Sequence, residues 1–443
     1  MCSYPYHGKK AERFHIRNRI MRVWIFKLSE FTPWDIQRYG ERKSRYSLLA
    51  EALVADGHSV MWWTDDFTHY AKERGHRFGK DHFEEVDSGI TVRWIHSPGY
   101  ERNVSFRRFA DHRIVARKML SDAENWPRPD LILGAMPTDA MSSVSIQLGE
   151  RYGVPVVLDV RDQWPDIFYS QLPKIFRPAM WVFTRAMDSR VRGAFESATA
   201  VTGNTAAFVG WGLNKSGRFK TPLDRAFPIG YEKQHQTQSS TESAEVFWKG
   251  MGIERDDDEL KICFLGAFSK MYDFEPLFEA AALLLGEKRR IKFILCGAGE
   301  KLESLRNRSQ ALSNVVLPGR VSGEQLSFLL GVSDLSLAPY IDDKNFRDNI
   351  ANKPAEYLAH NLPILSSIRG LLTELLEHYD CGRVYEDGAD LAMIIRSFQD
   401  DPQFLNKSKK QAGTLFNDKF DARVIYREFS QHLESIWKQS TKR

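Results

Sequence analysis

The sequence predicts an α/β protein made of two doubly wound domains, each built on a mostly parallel sheet. Three observations lead to this prediction. Short apolar runs with strand character alternate with helical stretches, this alternation falls into two blocks, and a polar stretch separates the blocks at residues 233–258. A chain of 443 residues has room for two or three domains with ample cores. We therefore expect a domain over 21–232, a linker over 233–258 and a second domain over 259–405.

The N-terminal block contains predicted strands separated by helices. The strand-like runs lie at 21–26, 58–64, 90–97, 129–137, 154–160 and 198–204. Helical stretches lie at 44–57, 104–120 and 139–152, and the second of these is strongly basic. Apolar runs that alternate with helices are typical of parallel strands buried on both faces.

The same pattern restarts after the polar stretch. The strand-like runs of this block lie at 260–266, 291–299, 313–321, 335–340 and 363–367. A helix is predicted at 274–285, and the chain ends in a long helical, polar-amphipathic stretch at 389–436. The block therefore predicts a second sheet with helices on its faces.

Composition narrows the classes of protein and partner. Lysine and arginine exceed aspartate and glutamate in residues 1–240, whereas the reverse holds in the remainder. A basic half suits an anionic partner, although random surface composition explains a small difference equally well. Residues 1–20 are basic and lack an apolar signal core, so we expect a leader without a secretion signal. No run approaches the roughly 18 apolar residues of a membrane span.

The sequence has four cysteines, and their spacing is not that of a metal site: Cys2, Cys263, Cys296 and Cys381. Two of them lie within apolar strand-like runs, so we expect buried free thiols in a reducing cytosol. The acid clusters Asp65-Asp66, Asp256–Glu259 and Asp342-Asp343 indicate solvated loop acids. We therefore expect no metal. We also expect no cofactor and no nucleic-acid partner.

The most informative segment is residues 345–365, NFRDNIANKPAEYLAHNLPIL. It predicts a loop followed by a short helix with Asn352 as its N-cap and Pro354 in the first turn. Asn361 and Pro363 then stop the helix. The free N–H groups of a first turn and the positive end of the helix dipole together form a binding site for an anion such as phosphate.

Two carboxylates flank this predicted anion site. Asp348 lies in the loop and Glu356 lies on the helix, with seven residues between them. Carboxylates accept hydrogen bonds from sugar hydroxyls. A phosphate site between two such acceptors predicts the binding of a nucleotide-sugar, and the alternative is a capped surface helix with two solvated acids.

This segment resembles the acid-x7-acid motif of family 4 retaining glycosyltransferases, which have the GT-B fold. The resemblance implies two Rossmann-like doubly wound domains facing a central cleft, with a C-terminal helix that crosses back. It implies that residues 406–443 return to the N-terminal domain. It also implies that Asp348 contacts the donor sugar and that Glu356 binds the ribose hydroxyls. The family usually has glutamate at the first position, so Asp348 is one methylene shorter.

The stretch 262–299 resembles the first βαβ unit of the family's donor domain. Its loop resembles Gly-x-x-x-x-Lys, which implies that Gly266 and Lys270 approach the donor diphosphate. The family often has arginine where this chain has Ala267, and Lys353 could supply that phosphate contact. The alternative for Lys270 is a solvated loop lysine.

Two further segments complete the predicted donor site. The sequence CGAGE resembles the family's Gly-x-Gly segment near the nucleotide, which implicates Gly297 and Gly299. Two glycines after a strand are a weak signal by themselves. The stretch 313–340 resembles the next unit, where the backbone at Arg320 and Val321 would hold the base.

The N-terminal block resembles the family at two places. Residues 38–60 resemble the first loop and helix, where Gly40 would face the diphosphate, and the alternative is a helix-entry glycine. LDVRDQWPDIF at 158–168 follows a strand and resembles the branch acting on bacterial surface polysaccharides. It implies that Arg161 binds phosphate or acceptor and that Asp162 positions an acceptor hydroxyl. The alternative is a structural Arg–Asp pair.

The resemblance implies a metal-independent, retaining glycosyltransferase of hexosyl or N-acetylhexosaminyl type. It would transfer sugar from a nucleotide-sugar, a UDP-sugar by preference, to a glycan or a polyprenyl-diphosphate-linked acceptor. The pathway would be O-antigen, capsule or exopolysaccharide assembly at the cytoplasmic face of the inner membrane. The basic stretch 171–194 suits peripheral contact with an anionic membrane, and a core-packing helix is the alternative.

Two rival functions remain open from the sequence. A nucleotide-sugar 2-epimerase shares the GT-B architecture but should show an inward-facing acid/base set, which the sequence does not reveal. An inactive GT-B scaffold or partner subunit would explain three departures from the family pattern: Gly40 has no second glycine beside it, Ala267 replaces arginine, and Asp348 replaces glutamate. A nicotinamide oxidoreductase is disfavoured because no Gly-x-Gly-x-x-Gly follows the first strand.

Overall fold

A computed structural model describes residues 20–69, 75–102, 105–170, 175, 177–233, 238–255 and 257–441. The predicted leader at 1–20 lies outside the described residues except for Ile20. The described chain forms two sheets with helices on their faces.

The N-terminal sheet has the order β3-β4-β2-β1-β5-β6-β7-β8 among the described residues, and only the β3–β4 pair is antiparallel. Its strands are β1 (Arg22–Phe26), β2 (Ser59–Asp65), β3 (His82–Asp87), β4 (Ile90–Ile95), β5 (Leu131–Ala135), β6 (Val156–Val160), β7 (Ala200–Gly203) and β8 (Arg225–Ala226). Its helices are α1 (Pro33–Tyr39), α2 (Arg45–Ala55), α3 (Phe106–Asp122), α4 (Asp139–Tyr152), α5 (Asp166–Ser170), α6 (Arg177–Ser197) and α7 (Ala206–Ser216).

The C-terminal sheet has the order β11-β10-β9-β12-β13-β14 and is parallel throughout its described strands. Its strands are β9 (Leu260–Leu265), β10 (Ile291–Cys296), β11 (Val315–Gly319), β12 (Leu335–Ala338), β13 (Ile364–Ser366) and β14 (Gly382–Val384). The helices that accompany it are α8 (Gln238–Lys249), α9 (Glu275–Gly286), α10 (Leu302–Ser309), α11 (Gly323–Val332), α12 (Lys344–Arg347), α13 (Asn352–Ala359), α14 (Leu371–Tyr379), α15 (Gly388–Asp400), α16 (Pro402–Lys419) and α17 (Ala422–Ser440).

The strand order fixes where a ligand can bind. Numbered within its own domain, the C-terminal sheet has the order 3-2-1-4-5-6, which is the order of dinucleotide-binding folds. The direction of strand winding reverses between β9 and β12 in this sheet and between β1 and β5 in the N-terminal sheet. Ligands in open α/β sheets bind outside the carboxyl ends of strands at such switch points.

The predicted alternation of strands and helices is confirmed, since each predicted strand is present. The central strands are buried on both faces, and every residue of β9 and β5 is buried. Because these strands are buried between two layers of helices, their sequences are continuous apolar runs, and such runs predict strands of this kind. Cys263, Cys296 and Cys381 are buried free thiols, as expected.

The prediction of a linker over 233–258 is wrong in its central part. Residues 238–249 form α8, whose Trp248 side chain is fully buried and whose indole N–H donates to the carbonyl of Gln325 at 2.7 Å. Ala244 and Ile253 join the same core cluster as α11. The segment therefore belongs to the C-terminal domain. Few apolar side chains hold it there, and its sequence is otherwise polar.

The C-terminal helices divide between the two domains. Helix α16 packs in the core of the C-terminal domain through Ala412, Leu415 and Phe416. Only α17 crosses back, where Phe429 stacks on Phe227 with ring centroids 4.3 Å apart. The predicted crossing helix is thus confirmed, whereas the prediction that residues 406–420 also return is wrong.

Candidate active site

A first cavity lies at the carboxyl ends of β9, β10 and β11. It has a volume of about 310 Å³. Its lining brings together Gly266, Gly297, Arg320, Val321 and Lys353, all predicted from the sequence. Because these strands end beside the switch point of the sheet, the cavity lies where doubly wound folds bind nucleotides.

The two glycines of the CGAGE segment have a packing role in this cavity wall. A Cβ on Gly297 would collide with the carbonyl oxygen of Gly266, and a Cβ on Gly299 would collide with that of Phe268. Both glycines have a φ of 154°. Glycine is therefore required where the loop after β10 lies against the loop after β9, independently of any ligand.

Helix α13 begins one residue earlier than the sequence predicts. The N-cap is Ala351, with φ −68° and ψ 172°, and no side chain caps the helix there. The prediction that Asn352 is the N-cap is therefore wrong, because the chain leaves the extended conformation at Ala351 and Asn352 already lies in the helix. Pro354 lies in the first turn, and Asn361 follows the helix with a φ of 60°. Without a side-chain cap, the first-turn N–H groups remain donors for an anion.

Glu356 is the most buried charged side chain of this helix, with 4% exposure. Its Oε2 accepts from Lys353 Nζ at 3.1 Å and from Arg42 Nη1 of the N-terminal domain at 3.0 Å. Burial alone would raise the pKa of the Glu356 carboxyl, but Arg42 and Lys353 outweigh it and hold the pKa below its usual 4.5. The carboxylate is therefore ionised at neutral pH and is a pure hydrogen-bond acceptor.

A second cavity, of about 330 Å³, lies between the two domains. Gly40, Arg42 and Lys43 line it from the N-terminal domain, and Glu356 lines it from the C-terminal domain. Gly40 does not enter a helix but ends α1 in the left-handed conformation, with a φ of 64°. The guanidinium of Arg42 also lies over the ring of Tyr231, 4.6 Å from its centroid.

Asp348 lies at a point of contact between the domains. It is the C-cap residue of the four-residue helix α12, which the sequence does not predict. Its carbonyl oxygen accepts from the Thr205 hydroxyl at 2.9 Å, and its side chain is about one-third exposed, 4.0 Å from Lys344 Nζ. The carboxylate is thus accessible to a ligand.

Lys270 is not among the residues that line the first cavity. Its side chain is exposed, and its backbone N–H donates to Glu300 Oε1 at 3.1 Å. Its place in the loop after β9 agrees with the alternative of a solvated lysine as well as with a phosphate contact.

A third cavity, of about 260 Å³, lies at the switch point of the N-terminal sheet. It is formed by the chain just beyond β1 and β5 and by the segment after β6. Its lining includes Lys27, Ser29, Arg161, Asp162 and Trp164. The two residues that the sequence places at the end of β6 therefore both face this cavity.

Arg161 is engaged by a carboxylate that the sequence analysis missed. Its Nη1 donates to Glu30 Oε2 at 2.7 Å, and Lys27 Nζ lies 3.6 Å from the same oxygen. Burial alone would raise the pKa of Glu30, but Arg161 and Lys27 lower it. Burial lowers the pKa of Lys27 and raises that of Asp162. The only signal for Glu30 in the sequence is its position just after the first strand.

Ser29 adds local strain to the same cavity. It is not a glycine, yet its φ is 58°. Its backbone N–H donates to Asp65 Oδ1 at 3.1 Å, which holds the turn against the end of β2. Strained residues of this kind cluster at binding sites, where surrounding contacts hold them.

Asp65 and Asp66 correct another prediction. The sequence indicates solvated loop acids, but both side chains are fully buried. They lie at the end of β2, where the sheet and the loops after it exclude water. Of the other acids predicted to be solvated, Asp342 is exposed and forms an ion pair with Arg347, and Asp256 lies outside the described residues.

The predicted membrane-contact stretch 171–194 is described only in part, since residues 171–174 and 176 lie outside the described residues. In α6, Trp181 and Val182 are 55% and 61% exposed. Within the described ranges, none of the helices combines the length and the apolar character that crossing a bilayer requires.

Two family models match the chain. The model described as glycosyl transferases group 1 matches residues 252–414, and the model described as glycosyl transferase 4-like domain matches residues 44–216. A sequence search of curated proteins gives no match. Together the two models span most of both domains, in the order found here.

Solved structures share the architecture of the whole chain. Sucrose-phosphate synthase from Thermosynechococcus elongatus is similar with a TM-score of 0.69 and 13% identity, covering 95% of this chain and 100% of that chain. HepE of Anabaena in complex with UDP has a TM-score of 0.62 and 15% identity, covering 94% and 100%. WaaG, a glycosyltransferase involved in lipopolysaccharide biosynthesis, has a TM-score of 0.61 and 14% identity, covering 93% and 99%.

Two doubly wound domains with cavities at facing strand ends define the class of protein as GT-B. The chain belongs to the family 4 glycosyltransferases of the GT-B fold.

Proposed function

We propose that the protein is a retaining, metal-independent glycosyltransferase that uses a UDP-sugar. The acceptor would be a glycan or a polyprenyl-diphosphate-linked sugar of a bacterial surface polysaccharide. The observation that carries this proposal is the ionised, buried carboxylate of Glu356, which lies on the uncapped helix α13 beside Lys353.

The donor would bind across the first two cavities. The ribose hydroxyls would donate to Glu356, and the diphosphate would accept from the first-turn N–H groups of α13 and from Lys353. The base would lie against the backbone at Arg320 and Val321, which line the same cavity as Lys353. The two cavities adjoin, because Leu326 lines both.

Uracil is favoured as the base by the structural relatives. HepE of Anabaena is similar in fold to this chain and has been solved in complex with UDP and with UDP-glucose. The transferred sugar would be of hexosyl or N-acetylhexosaminyl type and would lie against Asp348. No cofactor enters this proposal, since the nucleotide-sugar is a substrate.

The acceptor would bind in the third cavity, where Arg161 and Asp162 lie at the end of β6. Lys27 and Arg161 supply positive charge there, which suits an acceptor carrying phosphate. Support for a surface-polysaccharide pathway comes from the sequence of the β6 segment and from the fold shared with WaaG. A location at the cytoplasmic face of the inner membrane, with α6 near anionic lipid, belongs to the same proposal.

Retention of configuration would use the leaving diphosphate as the acceptor of the incoming proton, so no protein base is assigned. Lys353 and the helix dipole of α13 would stabilise the charge that develops on the diphosphate. Asp348 would hold the sugar while the cleft closes over it.

A first experiment is thermal-shift measurement with UDP, GDP, ADP, dTDP and CMP at millimolar concentration. A ligand that binds only the folded state raises the melting temperature, so stabilisation by UDP above the others supports the donor assignment. Stabilisation by another nucleoside diphosphate corrects the base. The absence of any shift favours the scaffold function.

A second experiment separates transfer from epimerisation. The protein is incubated with UDP-sugars, with and without added acceptor, and the products are identified by NMR. An α-linked product from an α-linked donor supports retention, whereas an inverted anomer contradicts it. A new nucleotide-sugar formed without acceptor indicates the 2-epimerase.

A further inference from the structure

Three side chains of metal-ligand type meet at one edge of the N-terminal sheet, away from the donor cavity. Asp66 directly follows β2, and His96 directly follows β4. His76 lies in the segment that returns to the sheet and pairs with Phe67 in an isolated antiparallel bridge. One ligand atom from each of the three side chains lies within 4.8 Å of the other two.

Backbone groups hold these side chains in place. The carboxylate of Asp66 is fully buried, and it accepts from the N–H of Ser97 at 3.0 Å and from the N–H of Gly79 at 3.1 Å. Its Oδ2 also lies 2.9 Å from His96 Nδ1. The carboxylate is therefore positioned by two other segments of the chain, one at Gly79 and one at His96 and Ser97.

His76 has the outer contact that is typical of a metal-binding histidine. Its Nε2 lies 2.8 Å from the carbonyl oxygen of Ser97. When Nε2 donates its proton to this carbonyl, Nδ1 keeps its lone pair for a metal ion. Metal-ligating histidines almost always donate their other ring N–H to a carbonyl or a carboxylate, which fixes the tautomer and the ring orientation.

The surroundings of the cluster are acidic. Asp111 is buried and accepts from the Ser97 hydroxyl at 2.6 Å, and Asp81 accepts from the backbone N–H of His96 at 2.6 Å. Two described cations lie near them: the ammonium of Lys118 lies 3.7 Å from Asp81 and donates to the carbonyl of His96, and Arg77 forms an ion pair with Asp35. Burial raises the pKa of Asp111, although the hydrogen bonds from Ser97 and Gly99 act in the opposite direction. A bound cation would offset this concentration of carboxylates.

We propose that Asp66, His76 and His96 bind one Zn²⁺ ion. Imidazole nitrogens and a carboxylate oxygen form a zinc ligand set, with a water molecule in the fourth position. Tetrahedral coordination at about 2.0–2.2 Å from each atom places the ligand atoms roughly 3.4 Å apart, so the three atoms, which now lie within 4.8 Å of one another, would move closer on binding. His96 Nδ1 would exchange its hydrogen bond with Asp66 for the metal bond, and the neutral imidazole would then carry its proton on Nε2.

The proposed ion would fasten the segment around His76 to the ends of β2 and β4. Phe67, the bridge partner of His76, is two residues before His69, which lines the third cavity. We derive no metal step for the transfer reaction.

The test uses full-length protein stripped of metal with a chelator and dialysed. Zinc binding is measured by isothermal titration calorimetry for the wild type, His76→Gln and His96→Gln. The matched control is His378→Gln, which changes an exposed histidine of the C-terminal domain. We expect one equivalent of zinc for the wild type and the control. Each cluster variant should bind at least about 100-fold more weakly, because loss of even an outer-shell partner costs roughly 10–100-fold.

A spectroscopic measurement keeps the proposal testable if a variant fails to fold. Cobalt(II) added to the stripped wild-type protein should give the intense visible absorption of a tetrahedral ion, and an equivalent of zinc should remove it. Zinc should also raise the melting temperature of the wild type and the His378→Gln control. Unchanged zinc affinity in both cluster variants, or no zinc and no cobalt binding by the wild type, would overturn the proposal.

Discussion

The role of Glu356 can be tested by replacing it with glutamine. Glutamine keeps the shape of the side chain but removes the charge that Arg42 and Lys353 stabilise. If the carboxylate accepts from the ribose hydroxyls, Glu356→Gln should weaken UDP binding. Arg42 and Lys353 are 37% and 31% exposed, so water can solvate both cations in the variant and the fold should persist.

The size of the effect follows from the chemistry of the contact. A hydrogen bond to a charged group contributes about 1.5–3 kcal/mol, and the remaining amide oxygen of glutamine recovers part of it. Since 1.4 kcal/mol corresponds to a tenfold change, we expect the Kd of UDP to rise about tenfold. Glu356→Ala removes the acceptor altogether and should raise the Kd by roughly tenfold to a hundredfold.

The assay is isothermal titration calorimetry with UDP and with 2′-deoxy-UDP. The wild type should bind the deoxy nucleotide more weakly, whereas in Glu356→Gln this preference for UDP should be smaller, because the amide oxygen replaces only part of the hydrogen bond. The matched control is Glu232→Gln, because Glu232 lines the same cavity but pairs with Lys43 and is 40% exposed. An unchanged preference for UDP over 2′-deoxy-UDP in Glu356→Gln would refute the ribose assignment.

Three further predictions concern other residues. Asp348→Asn should lower kcat while leaving UDP affinity unchanged, because Asp348 would contact the sugar; full activity in steady-state assays would remove it from the site. Lys270→Ala should weaken UDP by about tenfold and uridine hardly at all if its charge reaches the diphosphate; equal losses would contradict a phosphate role. Asp65→Asn should alter the pH dependence of stability, because burial raises the pKa of Asp65 from 3.8 to about 6. The native state holds the Asp65 proton more tightly than the unfolded state does, so the free energy of unfolding of the wild type should fall by about 3 kcal/mol as pH rises from 3.8 to about 6. Urea unfolding of the variant should lack this fall. An identical pH profile in the two proteins would show that Asp65 ionises normally.

The sequence predicts the strands well where burial is complete. Every residue of β5, LILGA, is buried between helices, so its letters are a continuous apolar run. β3 is missed because it is an antiparallel edge strand whose residues are mostly exposed. Helix α8 is missed because it is anchored by few side chains, mainly Trp248 and Ala244, within a polar stretch.

The candidate site is predictable only where its residues are close in sequence. The acid-x7-acid spacing and the glycine loops are local patterns, and several of these residues do line one cavity. The partner of Glu356, Arg42, is 314 residues away, and the partner of Arg161, Glu30, is 131 residues away. Such pairs depend on the order of the strands in the sheet and on the contact between the domains. A local sequence pattern encodes neither.

The contact between Arg42 and Glu356 also determines how acid affects the site. Both Arg42 and Lys353 contact Oε2 of Glu356, so Oε1 is the oxygen that would accept from a ribose hydroxyl in our proposal. The binding of ribose requires the ionised carboxylate, and the two cations keep the pKa of Glu356 below 4.5 against the effect of burial. UDP affinity should therefore persist as pH falls until the lowered pKa is reached.

Removing Arg42 should shift this limit towards neutral pH. In Arg42→Gln, burial acts against fewer positive charges, so the pKa of Glu356 should rise and UDP binding should weaken at a higher pH than in the wild type. Calorimetry from about pH 4 to pH 7 includes the region below 4.5 where the wild type should lose affinity. The difference between the two proteins cancels the titration of UDP itself, because that titration is common to both. Lys43→Gln is the control, since Lys43 lines the same cavity but pairs with Glu51 and Glu232. If the wild type and Arg42→Gln lose affinity at the same pH, then either Lys353 alone keeps Glu356 ionised or the ribose does not bind there, and Glu356→Gln distinguishes the two explanations.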